Sequence, residues 1–100
     1  MSSIRHISPA VFIDDRLAEC SHLARILYMG LPCLADCKGR LEDRPRRIKA
    51  QLLPYDEVDI EALLSELASK GLITRYEANG VHCIFLPDFA ETQRPRALLS

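Results

Sequence analysis

The chain is poor in the residues that most often carry chemistry. It has no tryptophan, and only three tyrosines, three histidines and four glycines. His6, His22 and His82 are scattered, with neither a nucleophile signature nor a glycine-rich phosphate loop, so no enzyme activity is expected and no cofactor is implied. Tyr28, Tyr55 and Tyr76 are dispersed and read as partly core, which leaves no aromatic platform for stacking unpaired bases. No stretch approaches the roughly 20 apolar residues that a membrane span needs, and no basic start leads into a long apolar run. A soluble cytoplasmic protein with no membrane partner is the expectation.

Four cysteines, Cys20, Cys33, Cys37 and Cys83, make an even set without a secretion signal, so free and mostly buried thiols are expected. Cys33 and Cys37 would share one face of an unbroken helix. A structural zinc site wants four ligands, and Cys20, His22, His82 and Cys83 supply no second spacing, so no metal is expected.

What is present is ordinary globular material: 100 residues, 48% apolar and 27% charged, enough for one modest core. Net charge is −1, so attraction to a polyanion must come from a local patch. Such a patch exists. Lys38, Arg40, Arg44, Arg46, Arg47 and Lys49 stand against only Glu42 and Asp43, whereas Asp56, Glu57, Asp59, Glu61 and Glu66 follow with Lys70 as their lone basic neighbour.

Periodicity places these charges on helices. Ser21 is positioned to cap a helix with Leu23, Ile26, Leu27, Leu31 and Leu34 as one buried stripe, kinked or ended near Gly30-Leu31 by Pro32. Gly39 stops that helix and leaves Arg40 to Glu42 extended. Asp43 then caps a second helix, with Pro45 in its first turn and Ile48, Leu52 and Leu53 as its short apolar face. Arg44, Arg47 and the stem of Gln51 share one flank of it. Asp56 or Asp59 caps a third helix, whose stripe is Ile60, Leu63, Leu64 and Leu67 and whose end is Gly71. Leu72 to Ala78 and Val81 to Leu86 form a hairpin about an Asn79-Gly80 turn, pairing Glu77 with His82 and Arg75 with Ile84.

Helix, short strand, helix, helix and hairpin, in that order, is an α+β plan, that of a winged helix. The expected divisions are an N-terminal arm over residues 1–20, the winged-helix domain over 21–89, and a basic tail over 90–100 with Arg94 and Arg96. The segments "SHLARILYMGL", "LADCKGRLEDRPRRIKAQLLPYDEVDIEALLSELASKGLITRYEANGVHCIFLPDF" and "QRP" together resemble the N-terminal winged-helix domain of bacteriophage and prophage replication-initiation proteins. The likeness runs from about Ile4 to Pro95. It implies a phage-type DNA-binding module in a replication nucleoprotein assembly, working in a bacterial host cell. Pro32 stands where that family usually has a large aromatic. Family members also usually continue into further segments, which a chain stopping at Ser100 would lack.

A winged helix that reads DNA through its third helix needs Arg, Lys, Asn or Gln there. This third helix offers Asp59, Glu61 and Glu66, so phosphate contacts are assigned instead to the second helix and the hairpin: Lys38, Arg40, Arg44, Arg46, Arg47, Lys49 and Arg75. A solvated surface competes with that reading. Asp59, Glu61 and Glu66 are either a surface for a protein partner or simply acids that suit a helix N-terminus. The alternative function is a stand-alone interaction module that binds and inhibits a host nucleoprotein machine, such as a CRISPR surveillance complex or its nuclease. Self-association as a homodimer through the first helix or the hairpin is a third alternative.

Overall fold

A computed structural model describes residues 4–93. Within them five α-helices and a three-stranded antiparallel sheet form a small α+β domain. No described helix is long and apolar enough to cross a membrane.

A 3-10 turn at Pro9–Ile13 leads into α1 (Asp15–Ala18), and Asp14 caps it by accepting from the backbone N–H groups of Arg16 and Leu17. Helix α2 (His22–Gly30) begins where the Ser21 hydroxyl accepts from the Ala24 N–H at 3.3 Å. It ends at Gly30 and tightens into a 3-10 turn, Leu31–Cys33, because Pro32 has no N–H with which to continue the ladder. The buried line of α2 differs from the expected stripe. Ala24, Leu27 and Leu31 are fully buried, whereas Ile26 is 47% exposed. Successive residues are turned by roughly 100°, and the small Ala24 faces inward where α2 packs on the fourth helix, so Ile26 is carried to the flank.

Strand β1 (Arg40–Glu42) follows Gly39, whose φ is +80°. A Cβ at Gly39 would lie 2.6 Å from the Phe89 Cβ, so both the backbone angle and the close approach require glycine. Helix α3 (Pro45–Leu52) opens with proline at its first position. Asp43, expected as its cap, is not: Arg44 occupies the N-cap position, and no side chain caps the helix. The Asp43 carboxylate has been drawn to Arg75 instead. Helix α4 (Ile60–Ser69) is capped by Asp59, buries Ile60, Leu64 and Leu67, and is closed at its C-terminus by Gly71 and Leu72 donating to the carbonyls of Ala68 and Leu67.

Strands β2 (Thr74–Ala78) and β3 (Val81–Phe85) make the hairpin with the register expected from a two-residue turn, Arg75 opposite Ile84 and Glu77 opposite His82. Asn79 and Gly80 both have positive φ, which suits the strand twist. β3 is central, with β1 on its other side, Leu41 opposite Ile84. Alternation then turns Leu41, Ile84 and Arg75 toward the helices and leaves Arg40, Phe85 and Tyr76 on the outer face.

Helix α5 (Phe89–Gln93) occupies the first residues of the expected tail; Arg94 and Arg96 lie outside the described residues. The N-terminal stretch is seated on the body. Arg5 donates to the carbonyls of Pro32 and Ala35 and lies 5.3 Å over the Phe89 ring, while the Gln93 amide exchanges two hydrogen bonds with the His6 backbone. Leu17 and Cys20 belong to the same core as Leu27, Leu64 and Ile84.

Candidate functional site

Helices α3 and α4 sit side by side and dispose of their charges in opposite ways. On α3 the backbone leaves Arg44, Arg46 and Arg47 exposed on the surface, because Ile48 points inward and is 2% exposed. Arg44 pairs with Glu42 at 2.8 Å. Arg46 and Arg47 form no ion pair among the described residues, and neither does Lys38. Lys49 turns back to donate to the Leu53 carbonyl at 3.4 Å, and Arg40 pairs with Asp36 at 3.2 Å. Of the seven cations assigned to phosphate contact, Lys38, Arg46, Arg47 and Lys49 therefore have no acidic partner among the described residues.

Arg75, the remaining cation of that set, is engaged within the chain. Its Nε and Nη2 donate to the two oxygens of Asp43 at 2.6 and 3.0 Å, and its Nη2 also donates to Glu61 at 2.9 Å. The Asp43 side chain is only 7% exposed. The guanidinium thus ties the hairpin to the entry of α3 and the first turn of α4. The hydrogen bond from Arg75 holds the Glu61 carboxyl below the usual glutamate range, and the two carboxylates push the Arg75 pKa further up.

The other acids of α4 are also engaged within the chain. Asp59 accepts from the Ala62 N–H at 3.2 Å. Glu66 accepts from the Ser21 N–H at 2.6 Å and from its hydroxyl at 3.0 Å, so a carboxylate on one helix completes the cap of another. Asp59, Glu61 and Glu66 are thus each hydrogen-bonded within the chain, while the Glu61 side chain stays 56% exposed. The exposed face of α4 that remains is made of Ala62, Ser65 and Ser69 beside the bridged Glu61.

Beside α3 lies a groove of about 390 Å³ between the 3-10 turn, β1 and the helix. Leu34, Leu41 and Ile48 form its apolar part, and Arg44, Arg47, Gln51, Glu42 and Cys33 complete it. The flank shared by Arg44, Arg47 and Gln51 was legible from their spacing; the contribution of Cys33, Leu34 and Leu41 was not, because it depends on how β1 and the 3-10 turn fold against the helix.

Two readings of side chains change. Tyr55 is 97% exposed rather than partly core, and Cys20 alone of the four free thiols is buried, with its pKa pushed up by that burial. No group of three or more metal-ligating side chains occurs among the described residues. No protein-family model, curated protein or solved structure matches the chain.

Proposed function

We propose that this chain is a phage-type winged-helix module that binds nucleic acid weakly through α3. The order of helix, strand, helix, helix and hairpin, with β3 between β1 and β2, supports the winged-helix reading. One observation carries the binding surface: Arg46 and Arg47 stand exposed and without acidic partners among the described residues, while the nearest concentration of acid, on α4, is tied up in caps and in the Arg75 bridge. The face of α4 has small side chains and lacks the Arg, Lys, Asn or Gln that reading a major groove requires, so the contacts are to phosphates and carry little base preference. A replication-type nucleoprotein assembly is the setting this suits.

The test is fluorescence anisotropy of the full chain with labelled single-stranded and duplex DNA across a salt series. Binding should weaken steeply with salt, and reversing Arg46 and Arg47 together to Glu should cost more than about tenfold in affinity and flatten the salt slope. No binding at the lowest salt would sink this reading.

A second reading, capture and inhibition of a host nucleoprotein machine, is favoured by a separate surface. Phe12 and Ile26 are 70% and 47% exposed beside a cleft of about 370 Å³ that also includes Val11 and Met29. Arg25 lines the same cleft, and its Nε is buried without a hydrogen-bond partner among the described residues. A protein segment with an apolar anchor would cover Phe12 and Ile26.

A further inference from the structure

The groove beside α3 has a composition that phosphate contacts alone do not explain. Duplex DNA presents its phosphates and sugars to such a helix, and these would use Arg46 and Arg47 while leaving an aliphatic hollow empty. Here Leu34, Leu41 and Ile48 line the same groove as Arg44 and Arg47. At about 390 Å³ the groove is near the lower end of the roughly 300–1,000 Å³ that small-ligand clefts span, which suits one monomer unit and excludes a duplex.

We infer that this groove binds one nucleotide unit of a single-stranded nucleic acid, with its phosphate between Arg44 and Arg47, its base on Leu34 and Leu41 above the buried Ile48, and Gln51 at the base edge. The inference rests on the proposed nucleic-acid reading of α3 and narrows it to unpaired strands.

The chemistry of the lining decides the occupant. Arg44, Arg47 and Gln51 follow the spacing i, i+3 and i+7, so they line one side of the helix about a turn apart. Two guanidinium groups match a phosphate, and the Gln51 amide offers a donor and an acceptor together, as a base edge requires. The flat apolar part of the ligand then rests on aliphatic rather than aromatic side chains. Arg44 is partly neutralised by Glu42 at 2.8 Å, so Glu42 works against an anion in the groove. Removing that one charge provides a diagnostic gain of function.

The experiment compares labelled oligothymidylate with a duplex of the same length, using the full chain and three variants, and follows the methyl resonances of Leu34, Leu41 and Ile48 by NMR. Expected are tighter binding of the single strand, methyl shifts with the single strand only, and a severalfold gain in affinity for Glu42→Gln. Arg47→Ala and the groove-filling Cys33→Leu should each weaken single-strand binding by about tenfold, with Cys33→Leu leaving duplex binding unchanged. The methyl shifts need no variant to fold. Equal binding of both DNA forms with unmoved methyls would overturn the groove and leave the α3 surface standing. Binding of neither would overturn both. Methyl shifts produced by an acidic, leucine-containing peptide and not by DNA would overturn the nucleotide in favour of a protein ligand.

Discussion

Helices α3 and α4 are neighbours of similar length, one rich in arginine and the other in acid, yet only the first presents its charges to solvent unpaired. The reason is where each side chain finds a partner. Asp59 and Glu66 meet orphan N–H groups at the starts of α4 and α2, which accept carboxylates readily, and Glu61 meets the guanidinium that the hairpin delivers. Among the described residues no equivalent set of acids reaches Arg46 or Arg47. A charge count along a sequence therefore overstates the acidity of α4 and understates how much of the basic character of α3 remains available.

This contrast can be broken most severely at Arg75. Replacement by Ala leaves the nearly buried Asp43 carboxylate without the two hydrogen bonds it accepts from the guanidinium, and should cost about 2–3 kcal/mol, read as a lowered urea midpoint. A value near zero would mean that the bridge is incidental. Glu66→Ala removes the acceptor for the Ser21 N–H and hydroxyl and should cost about 1 kcal/mol, more than an exposed charge usually does. Reversing Glu61 and Glu66 to Lys in order to probe an acidic partner surface would thus damage the fold before it reported on any partner.

Acid sharpens the same comparison. Glu61 has a folded pKa below its ordinary value of 4.5, so its contribution is present above that pH and is lost as pH falls through the lowered folded value. Glu61→Gln should therefore flatten part of the acid limb of a stability profile, leaving the part that Asp14 contributes by the same sign. The smallest effect is expected on the other helix. Converting Arg46 and Arg47 to Ala should shift stability by no more than about 0.5 kcal/mol while nucleic-acid binding falls.

The sequence was informative where structure is decided locally. The stripe Ile60, Leu64 and Leu67, the stop at Gly71, the short strand after Gly39 and the hairpin register each follow from residues a few positions apart. It was uninformative where a partner is distant. Nothing near Asp43 distinguishes a cap from the acceptor of an arginine 32 positions on, and nothing near Glu66 points to Ser21, 45 positions back. Ile26 misled for a related reason: it fits the helical period, but the line that is actually buried runs through Ala24, Leu27 and Leu31. The candidate surface on α3 was legible as charge. Its groove required the tertiary fold.

The paired hydrogen bonds between His6 and Gln93 bring opposite ends of the described chain into contact across 87 positions. Mechanically, the domain is a loop closed by a clasp. A force applied at those two residues would first load two hydrogen bonds at the surface, whereas the same force applied across β1 and β3 would meet the sheet. In an optical-tweezers pull from residues 6 and 93, the first yielding event should be the release of the N-terminal segment and α5, before the three larger helices part.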